Sequence, residues 1–179
     1  MAIRYHYGLA DVKLAPLVAD GIWGTAVDVG AVQMYGITYN LQTAELEGDD
    51  IIVDSHSKPI KATIRLRFGF SGLAVLAAIT GKARDVYTNY EMWSLGRDNM
   101  GYFGMNGSIS ATEGGGDLQF FVPKVKVMSD IPLEAQYGGY VVPEITATAH
   151  YSGTMWEIAK MVVNNTVTAV TIPPTFATA

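Results

Sequence analysis

A chain of 179 residues, 49% hydrophobic and only 16% charged, is long enough for one folded domain with a sizeable core. Its formal net charge of −5 excludes the overall basic character of a conventional nucleic-acid binder. The absence of cysteine excludes a disulfide framework, a thiol nucleophile and a thiolate metal site.

The longest apolar run, residues 73–79, falls far short of the roughly 20 residues a membrane helix needs. The start Met1-Ala2-Ile3-Arg4 leads into no secretory h-region, so the chain is expected to be soluble and to fold in a cytoplasm. Nineteen glycines and ten tyrosines beside so little charge favour a β-rich chain with tight turns and some apolar surface covered by partners.

In chain order, residues 1–30 show no sustained period and read as an N-terminal arm with short strands near 3–7 and 26–29. Residues 32–47 are strand-like, and Gly48-Asp49-Asp50 breaks the pattern. A strand resuming at 51–54 is followed by a polar turn over 55–59, where Pro59 biases Lys58 toward an extended conformation.

Over residues 60–70 the alternation is regular. Ile60, Ala62, Ile64, Leu66, Phe68 and Phe70 are apolar, while Lys61, Thr63, Arg65 and Arg67 are polar. This period of two predicts a strand with one buried and one wet face. Ser71 is placed to cap a short helix through Leu73, Leu76, Ala77 and Ile79, and Gly81 sits where a left-handed stop belongs.

Residues 82–100 read as irregular, and glycines 96, 101, 104 and 107 mark a mobile glycine-rich loop across 96–116, with Asn106-Gly107 a hairpin signal. Residues 108–112 suit a strand and 113–117 a flexible turn. Residues 118–127 form a strand interrupted at Pro123, which marks a bulge or an edge, and Lys124 and Lys126 alternate with Val125 and Val127 beyond it. After a loop over 128–140, a strand is expected at 141–151. Residues 155–163 suit helix or strand, 166–172 a strand, and 173–179 an extended C-terminal arm. No internal repeat or domain linker divides the chain.

Little of this pattern carries chemistry. His6, His56 and His150 stand far apart, and no metal-ligand spacing surrounds them. Asp49, Asp50 and Asp54 lie close to Glu45 and Glu47 but lack the spacing and closing glutamate of a calcium loop. Asp54-Ser55-His56 has the residue types of a hydrolase triad, but neighbours on one strand point apart. Gly69-Phe70-Ser71-Gly72 fails the spacing of a nucleophile elbow. The glycines at 101, 104 and 107 lack the lysine and the strand-to-helix setting of a phosphate loop. No catalytic residue, cofactor site or metal site is expected.

The stretch Ala44-Glu45-Leu46-Glu47-Gly48-Asp49-Asp50, the amphipathic strand after it and the compact helix ending in Thr80-Gly81 resemble the β-β-α core of the major tail tube proteins of long-tailed bacteriophages. The resemblance covers residues 30–172 as a pattern and is best over 41–81. It implies a mainly β fold, a β-sandwich with one short flanking α-helix, N- and C-terminal arms and a long glycine-rich loop. It further implies subunits that join sheets into hexameric rings, stacked as the conduit for DNA ejection.

The partners it implies are other copies of the chain, a tape measure protein, a tail terminator and baseplate or tip proteins. Phage DNA passes through without sequence-specific binding, and the place of action is the virion tail after assembly in the host cytoplasm. Within that plan Glu45, Glu47, Asp49 and Asp50 are expected to line a net negative lumen that repels phosphates. Lys61, Thr63, Arg65 and Arg67 are expected on an inter-subunit strand. The cations among them pair across the sheet with the glutamates, or face the outside or a neighbour. A secretion-system tube of the same fold fits the pattern equally. The alternative is a β-sandwich carbohydrate-binding module with tyrosines and Trp23, Trp93 and Trp156 as stacking platforms.

Overall fold

The computed structural model describes residues 11–48, 51–69, 72–109, 118–133, 139, 141–154 and 157–163. Among the described residues the chain is mainly β, with eleven strands and one short helix. In order these are β1 (Asp11–Ala19), β2 (Ile22–Trp23), β3 (Val27–Asp28), β4 (Val32–Gly48), β5 (Ile51–Phe68), α1 (Leu73–Thr80), β6 (Arg84–Val86), β7 (Glu91–Trp93), β8 (Phe103–Ile109), β9 (Leu118–Val127), β10 (Glu144–Ala149) and β11 (Lys160–Val163).

Nine strands form one antiparallel sheet in the order β2-β1-β8-β9-β10-β5-β4, with β3 added on β1 and β11 on β9. β6 and β7 pair separately as a small ribbon.

The alternation of β5 is realised as expected over its second half. Ala62, Ile64, Leu66 and Phe68 are buried, while Lys61, Arg65 and Arg67 are exposed. The buried face continues through Val12 and Leu14 of β1, Phe103 and Met105 of β8, Val122 and Val125 of β9, and Ile145 and Ala147 of β10. The sheet curls around this core. In a flat sheet β4 and β9 would lie about 14 Å apart, three strand spacings. Yet Tyr35 of β4 stacks on Phe120 of β9 with ring centroids 4.0 Å apart and planes 7° from parallel.

Helix α1, apolar on nearly every side, buries Val75, Leu76, Ala78 and Ile79 in the same region and packs against β1. Gly72 occupies its N-cap and Ser71 lies outside the described residues. The helix ends as expected at Gly81, in the left-handed conformation at φ 64°. A Cβ there would stand 2.8 Å from Gly101 Cα, because Gly101 N–H donates to the Thr80 carbonyl at 2.7 Å.

Several expectations are corrected. Residues 11–30 are not an arm: β1 is a core strand with Val12, Leu14 and Ala15 fully buried. The polar turn at 55–59 does not form, because β5 runs unbroken from Ile51 to Phe68 and pairs with β4 throughout. Pro59 is tolerated beside a register shift between Asn40 and Leu41. Asn106-Gly107 is not a hairpin turn and 103–109 is not a mobile loop. These residues are the interior of β8, paired with β1 on one side and β9 on the other.

The segment 82–100 contains the β6–β7 ribbon, and the ambiguous stretch before 163 ends in a strand, β11. Pro123 does mark a bulge: the β8–β9 register slips between Phe103 and Met105, opposite it. The expected strands at 3–7 and 166–172, the turn at 113–117 and the arm at 173–179 lie outside the described residues.

Candidate functional site

Three surfaces follow from the long β4–β5 hairpin. The first is a protruding arm. β10 pairs with β5 only from Ala62 to Arg67, whereas the β4–β5 ladder continues from Asn40 and Lys61 out to Gly48 and Ile51. The last eight residues of β4 therefore project about 26 Å from the body at roughly 3.3 Å per residue. Described side chains of this arm are exposed on both faces, and Leu41 and Ile60 stand 59% and 51% exposed at its base.

Glu45 lies opposite Ser55 and Asp54 opposite Leu46, so both carboxylates sit near the tip. Glu47 pairs in register with Ile52. Asp49 and Asp50 lie outside the described residues. Asp54, Ser55 and His56 are successive exposed arm residues, and Asp54 Oδ1 accepts the Ser55 N–H at 2.8 Å. The side chains alternate in direction, so no relay forms.

The second surface is the outer edge of β4. Among the described residues no strand pairs with it, and β4 ends the sheet. This corrects the expected inter-subunit strand: β5, with Lys61, Thr63, Arg65 and Arg67, is flanked by β4 and β10 over 62–67. Its backbone groups there are committed within the subunit.

The third surface is the wet face of β9, β10, β5 and β4. One row across the strands reads Lys124, His150, Lys61 and Asn40. Lys61 is in register with Asn40, and the His150 N–H donates to the Lys124 carbonyl at 2.8 Å. The next row reads Lys126, Thr148, Thr63 and Thr38. Then come Thr146, Arg65 and Gly36, and finally Glu144, Arg67 and Met34.

Five lysines and arginines thus share the face with one register-paired carboxylate. Among the described residues Lys61, Arg65, Arg67 and Lys126 have no ion pair within 4.0 Å, while Lys124 reaches Asp20 at 3.7 Å. Glu45 is far out on the arm, so the expected pairing of β5 cations with Glu45 is not made within the subunit. A shallow concavity lined by Gly36, Thr38, Thr63 and Arg65 opens on this face.

The electrostatics follow the geometry. Partial burial, then Lys124, Lys126 and Lys61 in turn, hold the His150 imidazole below the usual histidine range. Tyr102 packs edge-on against His150 at 5.7 Å, and the ammonium groups of Lys124 and Lys126 stand 5.1 and 5.2 Å from its ring centroid. Asp20 clips the β1–β2 turn to the segment after β10. Its carboxylate accepts the Thr154 N–H at 3.0 Å, the Thr154 hydroxyl at 3.1 Å and the Ser152 hydroxyl at 3.2 Å. The Thr154 backbone N–H is the chief cause that lowers its pKa.

Of the tryptophans expected as platforms, Trp23 is not one. Trp23 is buried edge-to-face on Phe121, its Nε1–H donating to the Pro123 carbonyl at 2.9 Å, and Trp93 has a buried Nε1. Trp156 lies outside the described residues. Among the described residues no group of three or more His, Asp or Glu side chains is placed to hold a metal ion. Among the described residues no helix is long and apolar enough to cross a membrane.

Sequence reasoning found the wet residues of β5 and the alternation at Lys124 and Lys126, but not their union with His150. The only signal was that each strand alternates, and strand order is what brings them together. No protein-family model matches the chain and no curated protein matches it.

Proposed function

We propose that the chain is the repeating subunit of a self-assembling tube, a structural protein of the bacteriophage tail-tube kind with no catalytic role. In this reading sandwich-like subunits join sheet edges into rings, hexameric by the resemblance, and the rings stack into the conduit through which phage DNA is ejected. The other tail components, the tape measure, terminator and tip proteins, would meet its ends, and the virion tail would be its place of action.

The observation that carries the reading is the β4–β5 arm. A two-stranded ribbon wet on both faces is marginal by itself, and a long open strand edge invites pairing with another chain. Sequences retain such features where a partner covers them, and an edge that closes against another copy removes the hazard. The basic wet face bears on the same reading. A conduit lined by uncovered lysines and arginines would hold the DNA by its phosphates, so a working tube has these cations covered.

The test is sedimentation velocity over a wide concentration range, comparing the parent with a variant in which residues 41–60 are replaced by Asn-Gly. The parent should form large species that grow with concentration, and the armless variant should remain a folded monomer. A parent that stays monomeric at every concentration contradicts the proposal.

A further inference from the structure

The acidic tip and the basic face are two halves of one contact that a single subunit cannot make. Glu45 and Asp54 stand on an arm projecting about 26 Å from the sheet, whereas Lys61, Arg65 and Lys126 lie on the body behind its base. The arm points away from the face that would neutralise it. The chain as a whole is acidic, with 17 Asp and Glu against 12 Lys and Arg, yet five cations of β9 and β5 gather on one face across β10, with Glu144 as the register-paired carboxylate there. Charge so divided, basic on one patch and acidic on another, suits a partner bearing the same division.

We propose that the acidic arm of one copy docks on the basic β9-β10-β5 face of the next, so that the arm's carboxylates, Glu45 on one face of the ribbon and Asp54 on the other, approach Lys61, Arg65 and Lys126 in a head-to-tail contact. The proposal rests on the self-assembly reading and names its surfaces. Because arm and face are different patches, the contact is heterologous and repeats from copy to copy, as growth of a ring or filament requires. It covers a wet face of the ribbon, and it brings the described carboxylates of the arm toward the cations instead of leaving either set bare.

The contact is electrostatic and partly exposed, so salt should weaken it. The smooth approach to Arg65 is provided by Gly36, where even an added Cβ would meet no atom within 4 Å.

A charge-swap mixing experiment tests this. Glu45→Lys with Asp54→Lys gives one variant, with both substitutions at exposed arm positions that leave folding intact. Arg65→Glu with Lys126→Glu gives the other. Each alone should associate at least tenfold more weakly than the parent at low salt, by sedimentation velocity, and an equimolar mixture should co-assemble. If the parent assembles and both variants assemble equally well alone, the docking contact is wrong while the tube reading stands.

If the parent never assembles, the tube reading falls and the contact falls with it. Non-tubular polymers with rescue on mixing would uphold the contact and remove the tube. Titration with a labelled single-stranded oligonucleotide covers the remaining possibility. If the Arg65→Glu, Lys126→Glu variant assembles as the parent does but loses salt-sensitive oligonucleotide binding, the face serves nucleic acid and the proposal is overturned.

Discussion

Gly107→Ala is a small change that tests the packing of the sheet at its tightest point. Gly107 sits mid-strand in β8, opposite Val12 on β1 and Phe120 on β9. A Cβ added there would fall 2.2 Å from Phe120 Cζ, 2.7 Å from Cε1 and 2.9 Å from the Asp11 carbonyl oxygen. The Phe120 ring cannot simply turn aside, because it is buried and its other face is stacked on Tyr35 at 4.0 Å. Overpacking of this kind costs about 1–3 kcal/mol. For a chain of this length that lowers Tm by roughly 2–12 °C, at about 2–4 °C per kcal/mol.

Phe120→Leu removes the two ring atoms nearest the new Cβ. It should itself cost less than the ~3–5 kcal/mol of truncation to alanine. The double variant should therefore be less destabilised than the sum of the singles, by about 0.5 kcal/mol or more, although the approach to the Asp11 carbonyl persists. Thermal melts followed by circular dichroism measure all four members of the cycle. A Gly107→Ala protein as stable as the parent, or strict additivity in the double variant, would refute the placement of Gly107 under Phe120.

Thr63→Pro should collapse the subunit itself and not only its assembly, since β5 is laddered on both sides; a folded far-ultraviolet spectrum from that variant would count against it. Trp23→Phe should cost about 1–3 kcal/mol by leaving the Pro123 carbonyl without its indole donor, read from denaturant unfolding. Partial burial, then Lys124, Lys126 and Lys61, hold the His150 imidazole below the usual histidine range. Its contribution to stability is thus present above the unfolded histidine pKa of about 6.5 and lost as pH falls through the depressed folded value. His150→Asn should make Tm less sensitive to acidification below about pH 6.5, and an unchanged slope would contradict the assignment.

Strands with one committed face were legible from the residues alone. β5 beyond Lys61 and β9 beyond Pro123 alternate because one side meets the core and the other water, and α1 announced its end at Gly81. The arm was not legible, because residues 55–59 carry the serines, lysine and proline of a turn while serving as strand. A ribbon with no buried face imposes no alternation, so nothing in the residue pattern distinguishes it from loop.

Gly107 misled for a related reason. Asn-Gly is the commonest short hairpin signal, but here the glycine is needed for the space it leaves to Phe120. β1 was missed because Leu14, Ala15 and Leu17 straddle both faces of the sheet: Leu14 joins the main core, while Ala15 and Leu17 pack with Trp23 and Phe121 on the other side. That two-sided burial erases the period. The basic face was half visible as separate strands, and assembling it required the order β9-β10-β5, which only tertiary pairing supplies.

Negative-stain electron microscopy of the purified full chain, concentrated at low salt, tests the central claim most directly. Rings or hollow tubes of uniform diameter are expected, and they disappear when residues 41–60 are replaced by Asn-Gly. A field of isolated globular particles from the parent, unchanged by concentration or salt, would contradict it.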